Sequence, residues 1–182
     1  MEIINGERLV LGTCYYPEHW DESLWRDDLR RMLENGIEVI RIAEFAWSKI
    51  ERYEGVFNYD FFDRFLDVAA DMGMKVIFCT PTATPPAWLT EKYPEVLNAN
   101  MDGVLYRHGG RRHYNYNSPK YQELTRIIVE KSASHYAKHP AIIGWQIDNE
   151  INCEKNEFYS ESDTIAFRKF LMKTYGSIDA LN

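Results

Sequence analysis

An amide and a carboxylic acid, Asn149 and Glu150, directly follow a short apolar run over residues 142–147. The run is rich in Ile, contains Trp and begins just after Pro140, which is typical of a buried strand. In parallel α/β folds, ligands bind at the carboxyl ends of the strands. The pattern indicates a catalytic acid at Glu150. An Asn-Glu pair alone is a weak motif, however, and it is equally compatible with a salt-bridged glutamate and a turn-capping asparagine.

Three arginines are the next candidates for chemistry. Arg111 and Arg112 follow a Gly-Gly pair and could direct forked hydrogen bonds toward a polyol or a carboxylate. On composition alone, a solvated basic loop is the favoured explanation of both residues. Arg41 lies inside an apolar run, where a charge must be paired if the strand is buried, and Glu44 or Glu38 could pair with it. A role for Arg41 in the site and a purely structural ion pair remain open alternatives.

Metal and disulfide chemistry are not expected. The only plausible metal ligands, His108, His113 and Cys153, include no close pair such as Cys-x-x-Cys. The three cysteines, at positions 14, 79 and 153, are an odd and scattered set, which agrees with a cytoplasmic protein. We therefore expect no metal and no cofactor.

The composition excludes several classes of partner. A net charge of −7 with a pI near 5.3 argues against nucleic acid, because phosphate backbones require a basic surface. No run is long enough to cross a membrane, and residues 1–8 do not resemble the start of a secretory signal. A hydrophobic fraction of 45% is sufficient for a folded core.

Four strand-helix units follow one another along the chain. The sequence predicts strands near residues 9–16, 39–43, 74–79 and 142–147, and helices that end at Gly36, Gly73 and Gly176 or begin at Pro119. The proline-rich stretch over residues 80–118 shows little periodicity, but its aromatic content argues against disorder. Alternating strands and helices predict a parallel α/β sheet.

Two parallel architectures fit this order, an open doubly wound sheet and a (β/α)8 TIM barrel. No glycine-rich phosphate loop follows the first strand, and polar groups at the ends of two strands favour the barrel. A complete barrel needs roughly 250 residues, whereas this chain has 182. We therefore expect residues 1–182 to cover about the first four units, the amino-terminal half of a barrel domain.

Five ordered motifs give the chain a specific resemblance: YYPEHW at 15–20, RIAEFAW at 41–47, TPPAWL at 84–89, RRHY at 111–114 and WQIDNE at 145–150. Together they resemble the amino-terminal half of glycoside hydrolase family 42 β-galactosidases. The resemblance implies a (β/α)8 barrel and retaining hydrolysis of terminal non-reducing β-D-galactose residues. It also implies an oligomer, a homotrimer, for the full-length enzyme.

The resemblance also implies residue roles. Glu150 matches the acid/base of the family, Asn149 its neighbour that contacts the sugar, and Arg111 a galactose-binding arginine. A retaining mechanism needs a second carboxylate as nucleophile. In the family it lies on a later strand, beyond Asn182. Four glutamates of this chain do not match the nucleophile of the family: Glu18, Glu44, Glu154 and Glu157.

One departure from the family pattern concerns metal. Many members bind zinc through cysteines, the first of which directly follows the His-Tyr of the arginine motif. This chain has Asn115 there, and Cys153 does not fit the remaining spacing. Two rival functions stay open: a related glycosidase of other sugar specificity, which the arginine motif disfavours, and a truncated, non-catalytic sugar-binding protein.

Overall fold

A single parallel sheet is the centre of the fold. The structure is a computed structural model that describes residues 9–151 and 156–182. Its four strands lie in chain order: β1 (Leu11–Cys14), β2 (Ile37–Ile42), β3 (Lys75–Cys79) and β4 (Ile142–Gln146). Every neighbouring pair is parallel. Sequential parallel strands with helical connections are the arrangement of the first units of a (β/α)8 barrel, so the predicted fold is confirmed.

The described part of the chain contains seven α-helices. They are α1 (Trp25–Glu34), α2 (Trp47–Ile50), α3 (Asp60–Asp71), α4 (Ala87–Lys92), α5 (Pro119–Tyr136), α6 (Glu161–Tyr175) and α7 (Ile178–Leu181). Short 3-10 helices cover Pro17–His19, Glu22–Leu24, Pro81–Ala83 and Pro94–Val96. None of the helices in the described ranges is long and apolar enough to span a membrane. Cys153 and residues 1–8, which entered the sequence predictions, lie outside the described residues.

The chain divides into two compact units. Of the described residues, the first unit comprises 9–84 and 129–149 and contains the sheet, and the second comprises 85–128, 150–151 and 156–182. In the first unit, Trp25 and Leu29 lie on one face of α1, and both are buried. The Trp25 ring packs edge-on against Phe65 of α3, with centroids 5.1 Å apart. Apolar side chains at helical spacing thus form the core between these two helices.

Glycine ends the first unit's long helices where the sequence predicts. Gly36 follows α1 with φ of 79°, and Gly73 follows α3 with φ of 78°. Only glycine adopts this left-handed conformation without steric cost, which is why the chain can reverse there and enter the next strand.

In the second unit, the proline-rich stretch is ordered, but mostly by turns. Isolated bridges pair Leu97 with Tyr114 and Ala99 with Leu105. The Tyr114 ring stacks on Tyr121 of α5, with centroids 4.8 Å apart. Aromatic packing therefore replaces regular hydrogen-bonded structure in this segment.

A buried polar cluster holds the start of α6. Asn115, fully buried, donates from its side-chain amide to the Ser160 hydroxyl and to the Asp163 carboxylate. Its side-chain oxygen accepts from the Asn117 backbone N–H at 2.7 Å. Ser160 and Asp163 also form a reciprocal capping box at the first turn of α6. A buried amide with several partners is costly to remove, because each partner left behind remains desolvated.

We expect Asn115→Ala to lower the free energy of unfolding by about 1–3 kcal/mol, because it leaves buried polar groups unsatisfied. Urea unfolding followed by circular dichroism measures the change. Asn182→Ala, at an exposed position, is the matched control. An Asn115 effect no larger than that of the control would contradict the inferred role of this cluster.

A second buried carboxyl, Glu51, lies in the first unit just after α2. It is only 3% exposed and accepts hydrogen bonds from the Trp47 indole N–H and the Gly55 backbone N–H, both at 2.8 Å. Burial raises the pKa of Glu51, and the two hydrogen bonds offset only part of that effect. The folded state therefore favours the protonated form more than the unfolded state does.

A raised folded pKa stabilises the protein below the ordinary glutamate pKa of about 4.3, and this stabilisation is lost as pH rises through the raised value. Glu51→Gln cannot titrate. We expect the unfolding free energy of the wild type minus that of Glu51→Gln to fall as pH rises above about 4.3 and through the raised pKa of Glu51. Parallel urea titrations measure it, with exposed Glu91→Gln as control. A difference that stays constant or rises with pH would refute the assignment.

Candidate active site

The backbone that leaves β4 is held in an unusual conformation. Asp148 has φ of 54° and Glu150 has φ of 46°, although neither is glycine. Each left-handed residue of this kind costs roughly 1–2 kcal/mol. Such a backbone persists only where surrounding contacts hold it, and residues of this kind cluster at functional sites.

Within the first unit, contacts from neighbouring strand ends hold the residues after β4. The Thr80 hydroxyl accepts from the Asp148 backbone N–H at 2.7 Å. The side-chain amide of Gln146 donates to the Asp148 carbonyl at 2.9 Å and to the Asn149 side-chain oxygen at 3.3 Å. Asn149 is buried, at 9% exposure. The predicted sugar-contacting asparagine is thus fixed in orientation at the carboxyl end of the sheet.

A charged network lies at the ends of the first strands of the same unit. Arg41, on β2, donates to a carboxylate oxygen of Glu44 at 2.7 Å and to the side-chain oxygen of Gln146 at 2.8 Å. The Tyr16 hydroxyl donates to the same oxygen of Glu44 at 2.7 Å. Burial and the bond to Glu44 raise the pKa of Tyr16 to about 12. Of the two partners predicted for Arg41, the structure places Glu44 against it, in an ion pair that is buried on the carboxylate side.

In the second unit, Arg111 and Glu150 form an ion pair. A guanidinium nitrogen of Arg111 lies 2.5 Å from a carboxylate oxygen of Glu150. The two side chains are 42% and 48% exposed, so both are accessible to a ligand from solvent. An exposed pair of this kind contributes little to stability. The structure therefore brings together two of the three predicted site residues, and it places the third, Asn149, directly before Glu150 in the chain.

The second arginine of the motif occupies a different environment. Arg112 is only 2% exposed and donates to the hydroxyls of Tyr114 and Tyr116, at 2.6 and 2.7 Å. It also donates to the backbone carbonyl of Glu150. The reading of both arginines as a solvated loop is wrong for Arg112. The burial of Arg112 could not be predicted from local sequence, because Arg111 and Arg112 follow the same two glycines.

This segment contains further buried polar groups, among them Asn115 and His113. Within residues 9–151 and 156–182, no cluster of three or more His, Cys, Asp or Glu side chains could hold a metal ion. Asn115, where many family members have a zinc-binding cysteine, instead bonds to Ser160 and Asp163. His113 is buried, and its burial lowers the pKa of the imidazole. At position 115 the chain thus places a hydrogen-bonded amide where those members have a cysteine thiolate.

A cavity of about 460 Å³ opens beside the ends of β1 and β2 in the first unit. It is lined by Glu18, His19, Phe45, Ala46, Ser48, Lys49 and Arg52. Burial raises the pKa of Glu18. The carboxyl ends of parallel barrel strands surround the active site in TIM-barrel enzymes, so this cavity lies at the functional end of the sheet.

Comparison with known proteins identifies the family. A family model described as Beta-galactosidase, glycoside hydrolase family 42, matches residues 14–182. The chain is 42% identical over 173 residues to β-galactosidase Bga of Halorubrum lacusprofundi, covering 94% of this chain and 25% of that protein. It is 45% identical over 174 residues to BgaA of a Thermus species, covering 95% and 27%. The chain spans about a quarter of the length of these curated relatives.

Solved structures agree. The β-galactosidase of the psychrophilic Marinomonas ef1 superposes with a TM-score of 0.92 at 43% identity, covering 96% of this chain and 27% of that one. The enzyme of Bacillus circulans sp. alkalophilus gives 0.90 at 31% identity, covering 96% and 26%. Because the family model covers nearly all of the sequence and the backbone agrees so closely, this chain belongs to glycoside hydrolase family 42.

Proposed function

We propose that this chain supplies the acid/base part of the active site of a retaining β-galactosidase, which releases terminal non-reducing β-D-galactose residues from β-D-galactosides. The relatives named above are called β-galactosidases. The observation that carries the proposal is the accessible Glu150 carboxyl, paired with Arg111 just past the end of β4. Residues 1–182 then form the amino-terminal half of a barrel domain.

In this mechanism Glu150 acts twice. As an acid it protonates the glycosidic oxygen while a second carboxylate attacks the anomeric carbon and forms a covalent glycosyl-enzyme. As a base it then takes a proton from the water that hydrolyses this intermediate. The two carboxyl groups must lie roughly 5–5.5 Å apart. We place the nucleophile in a part of the barrel outside residues 1–182.

The ion pair gives Arg111 a specific part in substrate binding. We propose that galactose hydroxyls take over the hydrogen bonds of Arg111, so that the Glu150 carboxyl group is free to reach the glycosidic oxygen. Asn149, oriented by Gln146, donates to a sugar hydroxyl beside it. Binding of the correct sugar thus prepares the acid.

The wider setting of the enzyme follows the family resemblance. We propose a cytoplasmic homo-oligomer, a trimer, that needs no cofactor and acts on a soluble galactoside rather than on nucleic acid or a membrane. The net charge of −7 supports the exclusion of nucleic acid.

In the protein that carries this chain with its complete barrel, we expect Glu150→Gln to lower kcat/KM for lactose about 10²- to 10⁴-fold, because general acid catalysis is lost. A galactoside with a dinitrophenyl leaving group needs no protonation, so its first step should be affected far less. Initial-rate kinetics with both substrates measures the contrast. Glu161→Gln, at an exposed site on α6, is the control. Full activity of Glu150→Gln toward lactose would contradict the acid/base role of Glu150.

We expect Arg111→Met to lower kcat/KM for β-galactosides about 10- to 100-fold, because a charged hydrogen bond to the sugar is worth about 1.5–3 kcal/mol. The discrimination against β-glucosides should weaken in the same variant. Arg107→Met, which changes an exposed arginine of the same loop, is the matched control. Equal losses for galactosides and glucosides would contradict a role for Arg111 in recognising galactose.

A further inference from the structure

Arg112 is a buried cation in a loop whose composition predicts exposure to solvent. Its side chain is 2% exposed, and its own backbone is left-handed, with φ of 60°. Burying a guanidinium is costly unless its hydrogen bonds are satisfied with good geometry. The buried charge of Arg112 is therefore expected to have specific hydrogen-bond partners.

The hydrogen bonds of Arg112 connect aromatic side chains with the backbone of the candidate acid. One nitrogen donates to the Tyr114 hydroxyl at 2.6 Å and to the Tyr116 hydroxyl at 2.7 Å. The other nitrogen donates to the Glu150 carbonyl oxygen. Tyr114 is fully buried and stacks on Tyr121 of α5. The planar guanidinium thus links the packed Tyr114 side chain to the backbone carbonyl of Glu150.

The backbone of Glu150, which Arg112 contacts, has a conformation that is unfavourable by itself. Glu150 has φ of 46°, a conformation that a non-glycine residue adopts only when contacts hold it. A change in this dihedral would rotate the Cα–Cβ bond and carry the carboxyl group away from the glycosidic oxygen. Arg111 contacts the Glu150 carboxylate, whereas Arg112 contacts the Glu150 backbone. Two adjacent arginines therefore act on opposite parts of one residue.

We propose that Arg112 is a positioning residue, which holds the left-handed backbone of Glu150 through its carbonyl oxygen and so aims the carboxyl group at the bond to be cleaved. Arg112 itself does not contact the sugar. The catalytic consequence rests on the proposed function, whereas the backbone role does not. The two are tested by separate measurements.

The backbone role is measured by hydrogen–deuterium exchange in the 182-residue chain. We expect Arg112→Met to speed exchange of the amides at positions 149–151 about tenfold, which corresponds to losing a charged hydrogen bond of about 1.4 kcal/mol. Tyr116→Phe, a milder change that keeps the guanidinium, should give a smaller increase. Arg31→Met, on an exposed part of α1, is the control. Unchanged exchange at these amides in both test variants would overturn the proposal.

The catalytic consequence is measured by steady-state kinetics in the protein with its complete barrel. We expect Arg112→Met to lower kcat for lactose by about 100-fold, because a small misplacement of a catalytic group is enough for such a loss. KM for lactose should change little, and kcat/KM for a dinitrophenyl galactoside, which reports only the first step, should fall much less, as for Glu150→Gln. Arg112→Lys keeps one donor and should recover part of kcat.

Equal losses with both leaving groups, or a loss confined to KM, would show that Arg112 contacts the sugar and would overturn its positioning role. Absence of β-galactosidase activity in the unmodified protein would refute the proposed function. The exchange measurements would still decide whether Arg112 holds the Glu150 backbone.

Discussion

The left-handed backbone after β4 is the constraint on which the rest of the site depends. A parallel strand delivers its last residues to one end of the sheet, but Asp148 and Glu150 must then adopt dihedrals that L-residues avoid. In the first unit, Thr80 and Gln146 supply hydrogen bonds to the peptide groups of this turn. In the second unit, Arg112 supplies one to Glu150. In each unit, buried polar groups thus hold the part of this short, strained segment that belongs to that unit.

In the charged network of the first unit, single side chains have more than one hydrogen-bond partner. Arg41 would be costly in a parallel strand without partners, yet it bonds both to Glu44 and to Gln146. Gln146 in turn orients Asn149. Arg41, an isolated charge in the sequence, is therefore connected to Asn149 through the side-chain amide of Gln146. Asn149 is the residue expected to contact the sugar. The hydrogen bond from Arg41 to Gln146 thus connects β2 with β4 and, through Gln146, with the asparagine proposed to bind the sugar.

Features that depend on residues close together in the sequence can be predicted from it, whereas features that depend on residues far apart in the sequence cannot. Strand order and helix ends follow from local patterns, such as the apolar spacing of α1 and the glycines that stop α1 and α3. Glu150 and Arg111 could be nominated because five ordered motifs resemble a family. The burial of Arg112 could not, because nothing local distinguishes it from Arg111. Long-range contacts with Tyr114 and the Glu150 carbonyl decide it. The same holds for Asn115, whose partners lie 45 and 48 residues away.

The conformation of Glu150 also has a consequence for how this sequence can change over generations. A single base change converts a glutamate codon into one for valine, alanine, glycine, aspartate, glutamine or lysine. At φ of 46° a β-branched valine is strongly disfavoured, whereas glycine removes the steric cost. The change that the backbone tolerates best is therefore one that deletes the carboxyl group. Selection for folding alone would therefore not preserve this carboxyl group, and a variant can keep the fold while it loses the proposed acid.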